Sequence, residues 1–488
     1  MHNGRRRLQA RGHPARARVA HARENSAPQT WPNPARAHVD RAHEEGAAVI
    51  ARRRLLGAMT ASGAALALSA CGSRRRRTKD TETPPLRLRV WSEPAAAAYR
   101  AALSSFRSTS GLAVEVESQP WDDYWASLPL DVADRSAPDL LWMNTANLAQ
   151  LQANEVLLDV GELVGDATSA IEPITADMYR IDDVLWGLPQ LWERTVLVAN
   201  RNLTEAAGVD PSALAFDPSA PSDALRDAAR SITVDEGGRH PGDEGFDAEH
   251  VAVTGFSSHP DRSALLGPFI AAHGGHWQNA KGQADFASPE GIAAVQYLAD
   301  LALKDQVAPP GELTVSDPSL CRQRFVEGTL GLLQTGTYNL DALQAGIDGS
   351  FPWDLHPPVA GPHGVRPLVH AIALVAVRPK KDERTEAIGE LLAHLATLEA
   401  QRPLAEARLG IPAHRDLRGA WEQAWKDAGV DVSVLGDAPA EIAWPERGVR
   451  SAEAVDAAMG PIAEVFPGQK PAQEALPEAQ TAARDAVG

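Results

Sequence analysis

The chain has 488 residues, 44% of them hydrophobic, and a net charge of −17. Residues 1–70 hold 12 arginines against 4 acids, a local +8, so the remainder carries −25 and is a poor partner for nucleic acid, whose binding depends on neutralising phosphates. Two cysteines, Cys71 and Cys321, leave no disulfide framework to read, and Cys321 is expected to be a buried, inert thiol.

The first feature in chain order is "RRRLLGAMTASGAALALSACGS", residues 52–73. A positive cluster, a short apolar run and small residues before a cut are the parts of an export leader. The run is too short and too rich in Ala, Gly, Ser and Thr for a membrane span, which needs about 20 apolar residues. "LSAC" resembles the bacterial lipobox, so Cys71 is the expected lipidation site and a lipid chain the expected anchor to the outer face of the cell membrane. Export by the Sec route or, given "RRRLL", by the twin-arginine route both fit. Residues 1–48 are rich in Arg, His, Ala and Pro with no apolar period, and they precede the leader. Synthesis is therefore expected to begin at Val49 from a non-standard start codon, and residues 1–48 to be a spurious extension. Residues 71–85 have no core formers and read as a tether.

From Leu86 the pattern becomes periodic. "LRLRVW" alternates as a strand, "AAAAYRAALSSFRSTSG" reads as a helix with a glycine stop, "LAVEVESQ" as a second strand, "DDYWASLPLDVADRSA" as a helix and "PDLLWMN" as a third strand. This alternation predicts an α/β layer with a mostly parallel sheet and a ligand beyond the carboxyl ends of its strands. Those tips are "WSEP", "QPWDDYW" and "MNTAN", all polar or aromatic. After "GLPQLWERTVLVAN" a second series follows: strand "HVAVTGFSS", helices "DRSALLGPFIAAHGG" and "PEGIAAVQYLADLALKD", and strands "GTLGLLQTG" and "PLVHAIALVAV". Between them "DEGGRHPGDEGFDAEH" reads as a mobile surface loop, and helical patterns dominate from Lys380 onward.

Taken in order, "VWSEP", "PDLLWMN", "VLWGLPQLWERTVLVANRNLTEAAGVDP", "AAHGGHWQN", "FVEGTLGLLQTGTYNLDAL" and "GPIAEVFPGQKPAQEALPEAQ" resemble the bacterial extracellular solute-binding proteins, family 1, of the maltose-binding type. The resemblance runs from Leu86 almost to Gly488. It implies a two-lobed periplasmic-binding-protein fold (type II), with lobe 1 at 86–193 and 377–412, lobe 2 at 194–376 and 413–488, and a hinge crossed more than once. It further implies a monomeric substrate-binding lipoprotein that captures a carbohydrate and delivers it to the permease of an ABC importer, with no cofactor and no catalysis.

A sugar offers apolar ring faces and a rim of hydroxyls, so its site needs aromatic platforms and hydrogen-bonding side chains. By position in the motifs, Trp91, Glu93, Trp121 and Asn144 lie at the strand tips of lobe 1. Gln190, Trp192 and Glu193 lie at the first hinge crossing, and His276, Trp277 and Tyr338 in lobe 2. Glu93, Asn144, Gln190 and Glu193 are expected to take hydroxyls, and Trp121, Trp277 and Tyr338 ring faces. Trp91, Trp142 and Trp186 serve equally well as core, and Asp122 and Asp123 as helix-capping carboxylates. His370 and Ala371 stand where many family members carry glycine, which makes the cleft floor bulkier. His273 and His276 have a spacing seen in metal sites but lack a third ligand, so no metal is expected. A secreted glycoside-active enzyme is the weaker rival, since "GFSSH" at 255–259 lacks the closing glycine of a nucleophile elbow. A sensory or non-carbohydrate solute-binding lipoprotein is the other.

Overall fold

The structure, a computed structural model, describes residues 84–488. The leader, Cys71 and most of the tether lie outside the described residues. Among those described, the strands in chain order are β1 (Leu86–Val90), β2 (Val114–Ser118), β3 (Leu140–Met143), β4 (Arg180–Ile181), β5 (Val184–Leu185), β6 (Leu188–Asn200), β7 (Val234–Asp235), β8 (Val251–Phe256), β9 (Leu330–Gly336), β10 (Trp353–His356), β11 (Val369–Ala376) and β12 (Ile411–Pro412). Ten of them join one mixed sheet whose main path is β2-β1-β3-β11-β6-β9-β8-β7, with β10 and β12 also paired to β6.

The predicted first layer is present. β1 lies parallel to both β2 and β3, with Leu88 opposite Val116 on one side and Leu140 on the other. The helix between the first two strands, Glu93–Ala102, starts at the Ser92 cap, and the short helix after it ends at Gly111, whose φ of 76° is the left-handed stop a glycine supplies without Cβ strain. Beyond this layer the chain enters β6, a strand of 13 residues, about 40 Å of extended backbone. β11 runs back beside it, antiparallel.

Period two sorts the side chains of these two strands into different cores. On one face Leu188, Leu191, Ile372, Leu374 and Ala376 join a core with β1 and the helices Glu383–Leu395 and Leu398–Glu406, while Leu197 and Ala199 join another with Phe256, Phe269, Tyr297 and the C-terminal helices Ser451–Ala463 and Ala472–Val487. On the opposite face Trp192, Val196, Val198, Val369, Ala371, Ala373 and Val375 share one continuous core with Tyr124, Leu333, Trp421 and Trp425. The first face is thus interrupted between Leu191 and Leu197. That gap holds Glu193, Thr195 and, from β11, His370, and it forms the floor of a cleft between two lobes.

Two segments differ from expectation. The stretch after β7 lies at the surface as expected but is tied down around a carboxylate: Asp235, 2% exposed, accepts from the backbone N–H groups of Arg239 (2.8 Å) and Asp247 (2.9 Å) and from Arg239 Nε (2.8 Å). The helix predicted over 261–275 begins as a π-helical turn, Arg262–Leu266, before the α-helical Gly267–Ala272. Asp261 caps that turn by accepting from Ser263 N and Ala264 N at 2.8 Å, and π-turns of this kind frequently sit at functional sites. Cys321 is buried as expected. No helix among the described residues is long and apolar enough to cross a membrane.

The longest helix of the second series, Pro289–Leu303, has Ser288 as its cap, with Ser288 Oγ accepting from Gly291 N at 3.1 Å and Pro289 at the first turn. Ser288→Ala is expected to cost about 1 kcal/mol, read as a lower urea midpoint at unchanged slope.

Candidate ligand-binding site

The cleft floor is built by strand register. Glu193 on β6 pairs with His370 on β11, so their side chains stand together on the interrupted face. His370 Nε2 lies 3.1 Å from Ser263 Oγ on the π-turn. Burial pushes the Glu193 carboxyl up to about 8, and burial also lowers the basicity of His370, so both groups favour their neutral forms near neutral pH.

The second lobe supplies Tyr338 from the turn after β9. Its ring is 42% exposed and lies against the backbone of Gly336, where a Cβ would fall 1.9 Å from the ring. Only glycine permits this placement. The turn is held by Thr337 Oγ1, which accepts from Arg194 N at 3.1 Å, and by Asn339, which accepts from Arg322 Nη1 at 3.0 Å and donates to Thr335 Oγ1 at 2.8 Å. Its solvent is that of a recess: desolvation, then the charges of Asp261 and Glu193, raise the Tyr338 hydroxyl well above its ordinary range. The geometry agrees: Gly336 pairs with Thr195, which sets the Tyr338 turn beside Glu193 on the floor, and Asp261 adjoins through Ser263 at His370. Beside them Arg262 is buried, with Nε 2.8 Å from Glu446 Oε1 and its guanidinium 4.2 Å from the ring centroid of Trp277. Arg262, His276, Trp277 and Trp444 also line a cavity of about 120 Å³.

The first lobe contributes an aromatic cluster. Trp91 packs edge-on against Trp121 at 5.3 Å and Trp142 at 4.8 Å, and Tyr124 donates to the Trp142 carbonyl at 2.5 Å. Trp121 is 50% exposed and presents the open ring of the group. Asn144 caps the helix Thr145–Ala153, accepting from Asn147 N at 3.1 Å, and two residues on Ala146 O accepts from Ser451 Oγ at 2.8 Å, joining the first lobe to the C-terminal helices.

Of the sequence-predicted residues, then, Glu193, His370 and Tyr338 are brought together, and Trp121 with the partly covered Trp91 forms a separate aromatic wall. Asn144 is at its strand tip but engaged as a cap. The remaining placements differ from what was expected. Glu93 is exposed and paired with Arg100 at 2.7 Å. Gln190 is 1% exposed, its carbonyl accepting from the Tyr99 hydroxyl at 3.1 Å, because a bulge between Ile372 and Ala373 turns it inward. Trp192 is fully buried on the reverse face, donating to Pro412 O at 3.2 Å. Trp277 is 8% exposed and stacked on Phe286 at 4.5 Å with Arg262 also against its ring, so it packs the core and offers no free face. His276 is exposed and lines the small cavity with Arg262 and Trp444. Sequence reasoning missed Asp261, Arg262, Ser263, Glu446 and the 41%-exposed Trp444. Asp261 could have been found from its place beyond the carboxyl end of β8; nothing local marks Glu446, which reaches Arg262 from a distant segment. No cluster of three or more His, Cys, Asp or Glu side chains suited to a metal occurs among the described residues.

Two lobes bridged by long strands, with a polar floor and exposed aromatics on both sides, define a ligand-binding protein of the two-lobed periplasmic class. Residues 101–429 match the family described as bacterial extracellular solute-binding protein, and the chain belongs to that family. The fold is similar to M. tuberculosis UspC (30% identity, TM-score 0.72, 82% of this chain and 99% of that one), to Lmo0181 from Listeria monocytogenes in complex with cycloalternan (18%, 0.66, 83% and 99%), and to maltose-bound T. maritima MalE3 (17%, 0.64, 82% and 99%).

Proposed function

We propose that this protein is the substrate-binding component of an ABC importer, capturing a mono- or oligosaccharide between its lobes and passing it to the membrane permease. The observation that carries this reading is the pairing of open aromatic faces, Trp121 and Tyr338, with the desolvated carboxyl of Glu193 on the hinge strand. Rings take the apolar faces of a sugar, and a protonated carboxyl both donates to and accepts from hydroxyls. Cycloalternan and maltose in two structures of the same fold agree in ligand class. We assign lobe 1 to 86–193 and 377–412 and lobe 2 to 194–376 and 413–488; in support, the helices at 383–406 pack on the first core and those at 451–487 on the second, while β11 crosses between the lobes, its Ile372, Leu374 and Ala376 packing on the first core ahead of the assigned boundary. The protein acts as a monomer held to the outer membrane face through lipidated Cys71. Loss of incorporated fatty-acid label in Cys71→Ser would accord with that anchor, and retention of the label would overturn it.

The test is a thermal-shift screen of the purified protein against mono- and oligosaccharides, polyols and sugar phosphates. A ligand of the folded state at a hundred times its dissociation constant adds about 2.7 kcal/mol, enough for a clear rise in Tm. A selective rise supports the assignment. No rise with any saccharide, against a rise with another solute class, would transfer the site to that class.

A further inference from the structure

The reverse face of the hinge strand carries a feature that carbohydrate capture does not use. Arg194, the residue after Glu193, points by strand alternation away from the cleft, to the face whose core holds Trp192, Trp421 and Leu435 and so the helix Arg418–Asp427. Arg194 Nη1 donates to Leu435 O at 2.9 Å, but its Nε is buried with no acceptor. Two residues back on the same face of β6, the Trp192 ring lies 5.3 Å from the guanidinium of Arg418, whose Nε and Nη1 are also buried without acceptors. Trp421, one turn along the same helix, has an indole N–H that is likewise buried and unpartnered. Each such orphan costs about 1–3 kcal/mol, more when charged, so several in one place mark a missing acceptor.

Their chemistry limits what that acceptor is. The orphans are all N–H donors, and the two guanidiniums are close enough for the charge of Arg418 to depress the basicity of Arg194, second to burial. Glu172, Glu422 and Asp437 are near enough to favour the charged form of Arg418 against its burial, yet none forms an ion pair with it. A neutral acceptor such as water relieves the orphan donors but not the repulsion; an anion relieves both. Guanidinium forks match tetrahedral oxyanions, two oxygens at a time.

We propose that Arg194 and Arg418 form an oxyanion site behind the hinge, accepting one phosphate or sulfate between β6 and the helix Arg418–Asp427. The occupant therefore stands behind Glu193, on the opposite face of β6, and the backbone N–H of Arg194 links the same point of the strand to Thr337, the neighbour of Tyr338. The site stands whether or not the cleft takes a saccharide.

The test is equilibrium dialysis of the intact protein with radiolabelled inorganic phosphate at constant ionic strength set with chloride. One phosphate per chain is expected, displaced by sulfate and not by acetate. Arg418→Gln should abolish binding, and Arg418→Lys, which keeps the charge and loses the fork, should weaken it about tenfold. If Arg418→Gln fails to fold, the Lys variant and the wild-type stoichiometry still decide. No saturable phosphate binding by the wild type at millimolar concentration, or equal binding by a folded Arg418 variant, overturns the proposal.

Discussion

Tyr338→Ala is expected to weaken saccharide binding about a hundredfold while barely changing stability. The ring is 42% exposed, so little packing is lost when it goes; what is lost is the stacking surface on the second lobe and a hydroxyl facing Asp261 and Glu193. Truncating an aromatic anchor in a cleft commonly costs 2 kcal/mol or more, and about 2.7 kcal/mol is a factor of a hundred. Tyr338→Phe keeps the face and should lose less than tenfold, separating stacking from the hydroxyl. Gly336→Ala approaches the same group from beneath. Its backbone φ of −97° suits alanine, but the new methyl would meet the ring at 1.9 Å, so the ring must leave its seat. Calorimetric titration with the saccharide identified in the screen gives all three affinities. If Tyr338→Ala binds within twofold of wild type, Tyr338 is not a platform and the aromatic contribution rests on Trp121.

The first lobe was legible because its signals are local. Alternation in "LRLRVW" and "LAVEVESQ", a serine cap and a glycine stop each act within a few residues, and they produced β1, the helix Glu93–Ala102 and β2 where expected. Glu193 was singled out by its position in a motif at the hinge crossing, and the fold puts it on the cleft face of β6. The alternation of β6 also held information that position in a motif does not: Trp192 and Glu193 are neighbours in one strand, so they point to opposite faces and cannot line one pocket. Gln190 escaped that logic because a bulge shifts the pairing at Pro189. Trp277 and Tyr338 show where local reading ends. Both are aromatics on polar turns, yet Phe286 folds back to stack on Trp277 and Arg262 arrives from an earlier segment to lie against it, while Tyr338 has only the bare backbone of Gly336 beneath it. Which of two such rings stays open is decided by tertiary partners. The Arg262–Glu446 pair, whose members lie in distant segments, is legible only in the fold.

Glu193→Gln is expected to leave stability unchanged at pH 4 and to raise it at pH 9, by up to a few kcal/mol. Burial lifts this carboxyl from an ordinary 4.5 to about 8 in the folded protein. Below 4.5 it is protonated in both states and contributes nothing. Between 4.5 and 8 the unfolded chain releases a proton that the folded chain retains, so stability falls as pH rises, by at most about 1.4 kcal/mol per unit. Above 8 both states are ionised and the penalty is complete. Glutamine has the same shape and no charge to desolvate, so the difference between variant and wild type should grow through that window and then level off. Urea unfolding of the two proteins at matched pH cancels every other titrating group. Ligand binding extends the same linkage: a neutral saccharide that covers Glu193 removes more water from it, raises its pKa further and binds with proton uptake, so wild-type affinity should fall above pH 8 while that of the glutamine variant stays flat. A wild type whose stability difference from Glu193→Gln is constant with pH would mean that the carboxylate is hydrated in the cleft, and a saccharide would then meet a charged acceptor there in place of a neutral donor.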